Sequence, residues 1–358
     1  MILQRYIVWE ILKPTMAILV VLIAIFASYT AVTYLAEAVG GALPPATVGV
    51  LIALKIGMAL EILLPTTLYL SVVIALGRLY KDSEMTALAA SGVGMGRVLK
   101  PVMALALPVA LAAGAASLYV RPTAYEQIYR MLDRAKNEFD ISRLMSDHFL
   151  VMNSGRLVFF ADEVNEKGRG VGKVFIRVAE GKNRQVINAG MMNQVAAEET
   201  GRRALVFHDG SFFQFPVEGA GGRVTRFERA EYPMPADPGS EDRYRRKAVA
   251  TMRLLGSSKL EDIAELQWRL STFLSTLLLA MLGVPLSRSD PRKGKYARIG
   301  LAVVIFAFYY QMFVIAKTWV EKGVVPPVIG IWWVPALLAL LAVLLLWMTG
   351  EVFCRRPR

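Results

Sequence analysis

Cysteine and histidine are almost missing from this chain. The single cysteine, Cys354, stands near the C-terminus, so no disulfide can close within the chain and a thiolate-built metal site is excluded. The two histidines, His148 and His208, are too few for a histidine metal cluster. A phosphate-binding loop is missing as well. The nearest look-alike, Gly168-Arg-Gly-Val-Gly-Lys173-Val, lacks the required spacing between its glycine and its Gly-Lys pair, and it has Val174 where the hydroxyl belongs. The glycine-rich GVGMGR at 92–97 follows no strand signal and opens an apolar run. The chain therefore carries no nucleotide-hydrolysing site of its own. A cleavable leader is not indicated either: the first apolar run exceeds the usual ~7–15 residues, and Thr33-Tyr34-Leu35 offers no small-x-small cleavage site. That run is read as a retained span.

What is present is apolar surface. Hydrophobic residues make up 55% of the 358 positions and the mean hydropathy is +0.44, too apolar for a soluble domain of this length. A membrane-spanning helix needs about 20 mostly apolar residues. Runs of that kind lie near residues 14–36, 48–77, 98–120, 267–286, 299–319 and 331–349. The net charge is +12, and almost none of it resides in residues 121–265, which argues for the positive-inside rule rather than nucleic-acid binding. Arg5, Lys13, Arg78, Lys81, Arg97, Lys100, Arg288, Arg292, Lys293, Lys295, Arg298, Arg355, Arg356 and Arg358 all fall in connections on one side. The connections on the other side hold only Lys317 and Lys322. The first side is the cytoplasmic one, which puts both termini inside and the 121–265 insert outside.

The insert has a different texture. TAYEQIYRMLDRAK places Tyr125, Ile128, Met131, Leu132 and Ala135 at helical spacing. Short strand candidates follow, among them HFLVM, RLVFFADEV, KVFIRVAE, RQVINAG, ALVFH and SFFQF, separated by turn signals such as NSG, EGKN, ETGR and HDG. This pattern predicts an antiparallel barrel or jelly roll. The run DRYRRK at 242–247 reads as a solvated charge run.

The segment RLYKDSEMTALAASGVGMGR, residues 78–97, is longer than a plain connection between two spans requires. Asp82 or Ser83 is placed to cap a helix whose first turn holds Glu84, and Ser91-Gly92 is a stop signal. Leu79, Met85, Leu88 and Ala89 form one apolar face, while the small Ala87, Ala89, Ala90 and Ser91 permit close approach of another protein. Two readings stand on periodicity alone: a docking helix, or an interfacial helix resting on lipid headgroups.

RLYKDSEMTALAASG, together with RYIVWEILK, LEILLPTTLYL and ELQWRLSTFLSTLLLAMLGVPLSRSDPRKGK, resembles the LptF/LptG permease family of lipopolysaccharide export, and the resemblance covers the whole chain. It implies an α-helical membrane protein with six transmembrane helices plus an inserted periplasmic antiparallel β-jelly-roll domain. The divisions are residues 1–120, 121–265 and 266–358, with a cytoplasmic coupling helix at about 80–92. It further implies a non-catalytic subunit in the inner membrane of a Gram-negative bacterium. Such a subunit pairs with LptG and docks on a dimer of the ATPase LptB, where ATP and magnesium are bound. It associates with LptC and passes lipopolysaccharide toward LptA. The coupling residues carried over are Arg78, Leu79, Tyr80, Asp82, Ser83, Glu84, Met85, Leu88 and Ser91, with Glu84 meeting basic groups of the ATPase.

For a substrate with several acyl chains and phosphates, the apolar wall candidates are Phe26, Tyr29, Leu60, Leu64, Phe306, Tyr309, Tyr310 and Phe313. Helix packing or lipid contact is the plainer reading for each of these. Some members of the family place basic residues at the outer end of the first span; here those places hold Thr30 and Thr33, which points phosphate recognition to Arg269 and Lys317 or to the sister subunit. Glu61 inside the second span is paired only poorly by Lys55 at i, i+6; it lines the cavity, sits protonated, or pairs with a partner chain. It is also the basis of an alternative, an ion-coupled lipid transporter with Glu61 as proton carrier. A third reading is a membrane scaffold that anchors a periplasmic binding module. The resemblance also implies an apolar periplasmic groove, for which Phe149, Val151, Leu157, Phe159, Phe175, Val186, Leu205, Phe207 and Phe213 are the inward candidates. Core packing is the competing role for each.

Overall fold

A computed structural model describes residues 2–39, 45–137, 149–152, 157–164, 170–180, 183–196, 203–216, 222–233, 246–288 and 297–354. The helices are α1 (Ile2–Val39), α2 (Pro45–Lys81), α3 (Glu84–Ala90), α4 (Met95–Ala115) and α5 (Arg121–Asn137), then α6 (Thr251–Leu254), α7 (Leu260–Leu286), α8 (Ala297–Glu321) and α9 (Trp333–Cys354). A π-helical stretch, Ala116–Val120, joins α4 to α5 without a break. The strands are β1 (Phe149–Met152), β2 (Leu157–Val164), β3 (Gly170–Glu180), β4 (Asn183–Ala196), β5 (Arg203–Pro216) and β6 (Arg223–Pro233). Among the described residues, five helices are long and apolar enough to cross a bilayer: α1, α2, the α4–α5 rod over Met95–Leu132, α7, and α8 from Arg298. In the sixth, α9, the apolar stretch Trp333–Met348 is shorter. At 1.5 Å per residue, the 38-residue α1 is about 57 Å long and exceeds a hydrocarbon core of about 30 Å.

The chain divides into two compact units, one of residues 1–30, 52–127 and 244–358, the other of residues 31–51 and 128–243. In the first, α7 is the central helix: 67% of its most apolar window is buried, against 11% for α1. The sequence explains this. Ser271, Thr272, Ser275 and Thr276 are buried in α7, and small residues allow helices in lipid to approach closely. At Gly283 an added Cβ would lie 2.9 Å from Val72 Cγ1, so α2 packs on bare backbone there. One apolar cluster gathers Tyr69, Trp268, Leu279, Tyr309, Phe313 and Leu338; another gathers Ile7, Ile11, Leu76, Leu79, Met85, Val98 and Val284. Gln267 closes the turn before α9, donating to Pro327 O (2.8 Å) and accepting from Ile331 N–H (3.1 Å), with Gly330 at φ +53° making room.

In the second unit the expected antiparallel β insert is present. Its described strands lie in chain order, β1-β2-β3-β4-β5-β6, each antiparallel to the next. Among the described strands, neighbours in the chain are thus neighbours in the sheet. The ladders skip one position in each central strand, Lys173 in β3, Gly190 in β4 and Asp209 in β5, and resume in the same register beyond it. Lys173 and Asp209 have positive φ, 41° and 50°. The skipped positions form a line across the sheet, a crease beside an open cavity of about 570 Å³ that Lys173, Asp209, Arg226 and Glu228 help to line. Gly210, next to the crease, lies under Phe227, whose ring would sit 2.5 Å from an added Cβ.

Candidate functional site

Residues 78–97 form an elbow that runs from the end of α2 through α3 to the start of α4. Backbone bonds from Asp82 N to Arg78 O and from Ser83 N to Tyr80 O close the end of α2, and Ser83 then takes a left-handed conformation at φ 60°. Neither Asp82 nor Ser83 caps α3 through its side chain, contrary to the sequence reading. The backbone at Ser83 is committed to ending the previous helix, which leaves the extended geometry of an N-cap out of reach. The stop signal does act as read. Gly92 at φ +81° donates to Ala89 O, and Val93 donates to Leu88 O, the paired bonds of a Schellman motif.

The apolar face is also as read. Leu79 and Met85 are buried in the second cluster, with Leu88 packed against it. Leu79, Tyr80 and Met85 therefore anchor the elbow and offer no surface to a partner. Thr86, Ala87, Ala90, Ser91 and Gly92 form the exposed side, with Lys81, Asp82 and Ser83 at its entrance. Arg78 pairs with Glu10 of α1 and with Asp82 at 3.9 Å. Half-buried Glu84 accepts a hydrogen bond from the Tyr6 hydroxyl at 2.8 Å.

A second constellation lies among the spans, and the sequence reading missed most of it. Glu61 Oε1 accepts from Arg121 Nη1 (3.0 Å), Ser117 Oγ (3.0 Å), Trp268 Nε1 (2.7 Å) and Thr272 Oγ1 (3.3 Å). Arg121 Nη2 reaches Glu265 at 3.3 Å. Glu265 also receives Arg269 Nε at 3.2 Å and Lys317 Nζ at 2.5 Å. Arg269 is fully buried, and its remaining donors bind the backbone oxygens of Lys247 and Val249 and the Thr251 hydroxyl. Arg121 and Lys317 both approach the Trp268 ring, at 5.6 and 5.0 Å from its centroid. Three cations thus enclose two carboxylates, and each carboxylate has charge partners and hydrogen bonds, as burial requires. The π-helical stretch holds Ser117 and ends at Arg121, and such stretches recur where a helix must aim particular side chains.

This geometry bears on three readings. Glu61 is paired with Arg121 and not with Lys55. Arg269 is sealed inside the unit and held by protein oxygens, so it is not placed to meet a phosphate. Tyr309 and Phe313 are buried against the core around Trp268, so they form packing rather than open wall, while Phe306 and Tyr310 are half-buried beside them. Leu60, Leu64 and Phe26 are half-buried, Lys317 is mostly covered, Tyr29 is 74% exposed and Thr33 is exposed. In the β unit, Val186 and Phe213 stand side by side in the register, Phe175 and Phe213 are half-buried, and Phe207 is buried opposite Met192. Phe149, Val151, Leu157, Phe159 and Leu205 belong to strands, but their side chains lie outside the described residues. The signal for the buried network was available: Arg121, Glu265 and Arg269 border or interrupt apolar runs, and a charge there needs a partner.

The family model for "Lipopolysaccharide export system permease LptF/LptG" matches residues 5–348. The chain belongs to this family. Its relatives include the lipopolysaccharide export system permease protein LptF of Escherichia coli K12, of E. coli O157:H7 and of Shigella flexneri. Each is 28% identical over 364 residues, covering 98% of this chain and 96% of the relative. A membrane permease of lipopolysaccharide export accounts for the apolar spans, and the β insert fits the same family.

Proposed function

We propose that this chain occupies the LptF position of an inner-membrane exporter, where it converts ATP hydrolysis on a separate LptB dimer into closure of a lipid cavity. In this reading it pairs with LptG, associates with LptC, and releases lipopolysaccharide toward LptA, with ATP and magnesium held by LptB alone. Both termini are cytoplasmic and the β insert is periplasmic. The observation that carries the reading is the elbow at 78–97. α3 is anchored by Met85 to the cores of α2 and α4, and its small residues Thr86, Ala87 and Ala90 are left exposed. A short helix wedged rigidly between two spans transmits a push from outside to both. The ion-coupled alternative has little support. Glu61 is ion-paired with Arg121 and accepts from Ser117, Trp268 and Thr272, the partners of a carboxylate that ties helices together.

The test is to purify the chain from its own membranes in mild detergent and assay ATP hydrolysis and lipid release. Co-purifying activity that Glu84→Ala uncouples supports the reading. A chain that emerges alone and silent, under conditions that keep other complexes intact, removes it.

A further inference from the structure

The elbow is not held by its own apolar face alone. The first turns of α1 are seated beside it: Ile7 and Ile11 are fully buried in the cluster that holds Leu79 and Met85. Tyr6 and Glu10 stand one turn apart on that same helix, so they share a face. Each ties one charge of the elbow, Glu10 pairing with Arg78 and Tyr6 donating to Glu84 Oε2 at 2.8 Å. The two ties bracket the left-handed break at Ser83, one on each side. Tyr6 is 40% exposed, so the contact lies at the surface where a partner arrives. Among the described residues Tyr6 is the side chain hydrogen-bonded to Glu84, and the bond occupies one carboxylate oxygen, leaving the other for an incoming cation.

We propose that Tyr6 is a positioning residue of the coupling face. Its hydroxyl fixes the Glu84 carboxylate in one orientation, so that a basic side chain of the ATPase meets a carboxylate already in place. The same bond makes α1 a third element of the lever, alongside α2 and α4. This rests on the proposed docking role of Glu84. A preoriented carboxylate spares its partner the cost of ordering it.

The experiment uses the complex extracted from its own membranes, with lipid released per ATP hydrolysed as the readout. Four forms are compared: unaltered, Tyr6→Phe, Glu84→Gln, and the double variant. Tyr6→Phe is expected to lower the ratio about three- to tenfold while leaving yield and melting temperature unchanged, since the ring and its packing remain. In the Glu84→Gln background the same change is expected to alter the ratio less than twofold, because the carboxylate it positions is gone. A Tyr6→Phe ratio equal to the unaltered one, or the same loss in both backgrounds, overturns the proposal while leaving the docking role of Glu84 intact. Glu84→Gln with an unaltered ratio overturns that docking role itself, and the positioning role with it.

Discussion

The carboxylates of Glu61 and Glu265 are held by one guanidinium, that of Arg121, whose Nη1 lies 3.0 Å from the first and whose Nη2 lies 3.3 Å from the second. Three helical segments are joined through this one side chain: α2, the rod leading into the β insert, and α7. Lys317 adds α8, and Arg269 adds the backbone returning from the insert. The cluster is a joint of the helical unit.

Removing the hub charge should show how much the joint contributes. Glu265→Ala leaves Arg121, Arg269 and Lys317 without their shared carboxylate. Breaking a buried pair from one side costs about 3–5 kcal/mol. Denaturant unfolding in detergent should show a loss of this size, with Glu265→Gln recovering part of it through its remaining acceptor oxygen.

Glu61 separates a structural from a proton-carrying role. Glu61→Gln keeps an acceptor for Trp268, Ser117 and Thr272 and loses only the charge that faces Arg121. Lipid release should remain within about twofold of the unaltered protein, whereas Glu61→Leu, which leaves the Trp268 and Ser117 donors without their acceptor, should lower the yield of folded protein by costs of about 1–3 kcal/mol per group. Loss of transport in well-folded Glu61→Gln would return the proton reading.

The elbow makes opposite predictions for its two faces. Met85→Ala opens a hole in the cluster with Leu79 and Val98 and should destabilise the protein by about 2–5 kcal/mol. Thr86→Trp adds bulk on the exposed side. It should leave the melting temperature unchanged while the ATPase subunit no longer co-purifies.

At Gly283 the backbone of α7 meets Val72, so Gly283→Val overfills a contact that has no spare volume. A destabilisation of about 1–3 kcal/mol is expected. Val72→Ala in the same chain should relieve part of it, read from the same unfolding curves.

Much of this architecture was legible in the residues. The spans announce themselves by length, and the β insert by its turn signals, because both depend on local composition. The stop at Ser91-Gly92 was readable because glycine there serves a backbone need that its neighbours cannot. Three features were not readable. The helix over TAYEQIYRMLDRAK was readable, but not that it continues the preceding span through Ala116–Val120, because backbone hydrogen bonds do not depend on which side chains face water. The Ser83 cap failed because the end of α2 had already set its backbone. The network of Glu61, Arg121 and Glu265 joins residues from distant helices, and only the packing of small residues along α7 brings them together.

α7 has a consequence for how the protein is made. Its hydropathy, 1.5, is the lowest of the five long spans, and it carries Glu265 and Arg269. Such a segment partitions poorly into lipid alone. Its Glu265 is paired by Arg121 of the rod, synthesised earlier, and by Lys317, synthesised later. During biogenesis α7 thus waits on helices already in the bilayer for its welcome, and it becomes fully at home only when α8 arrives.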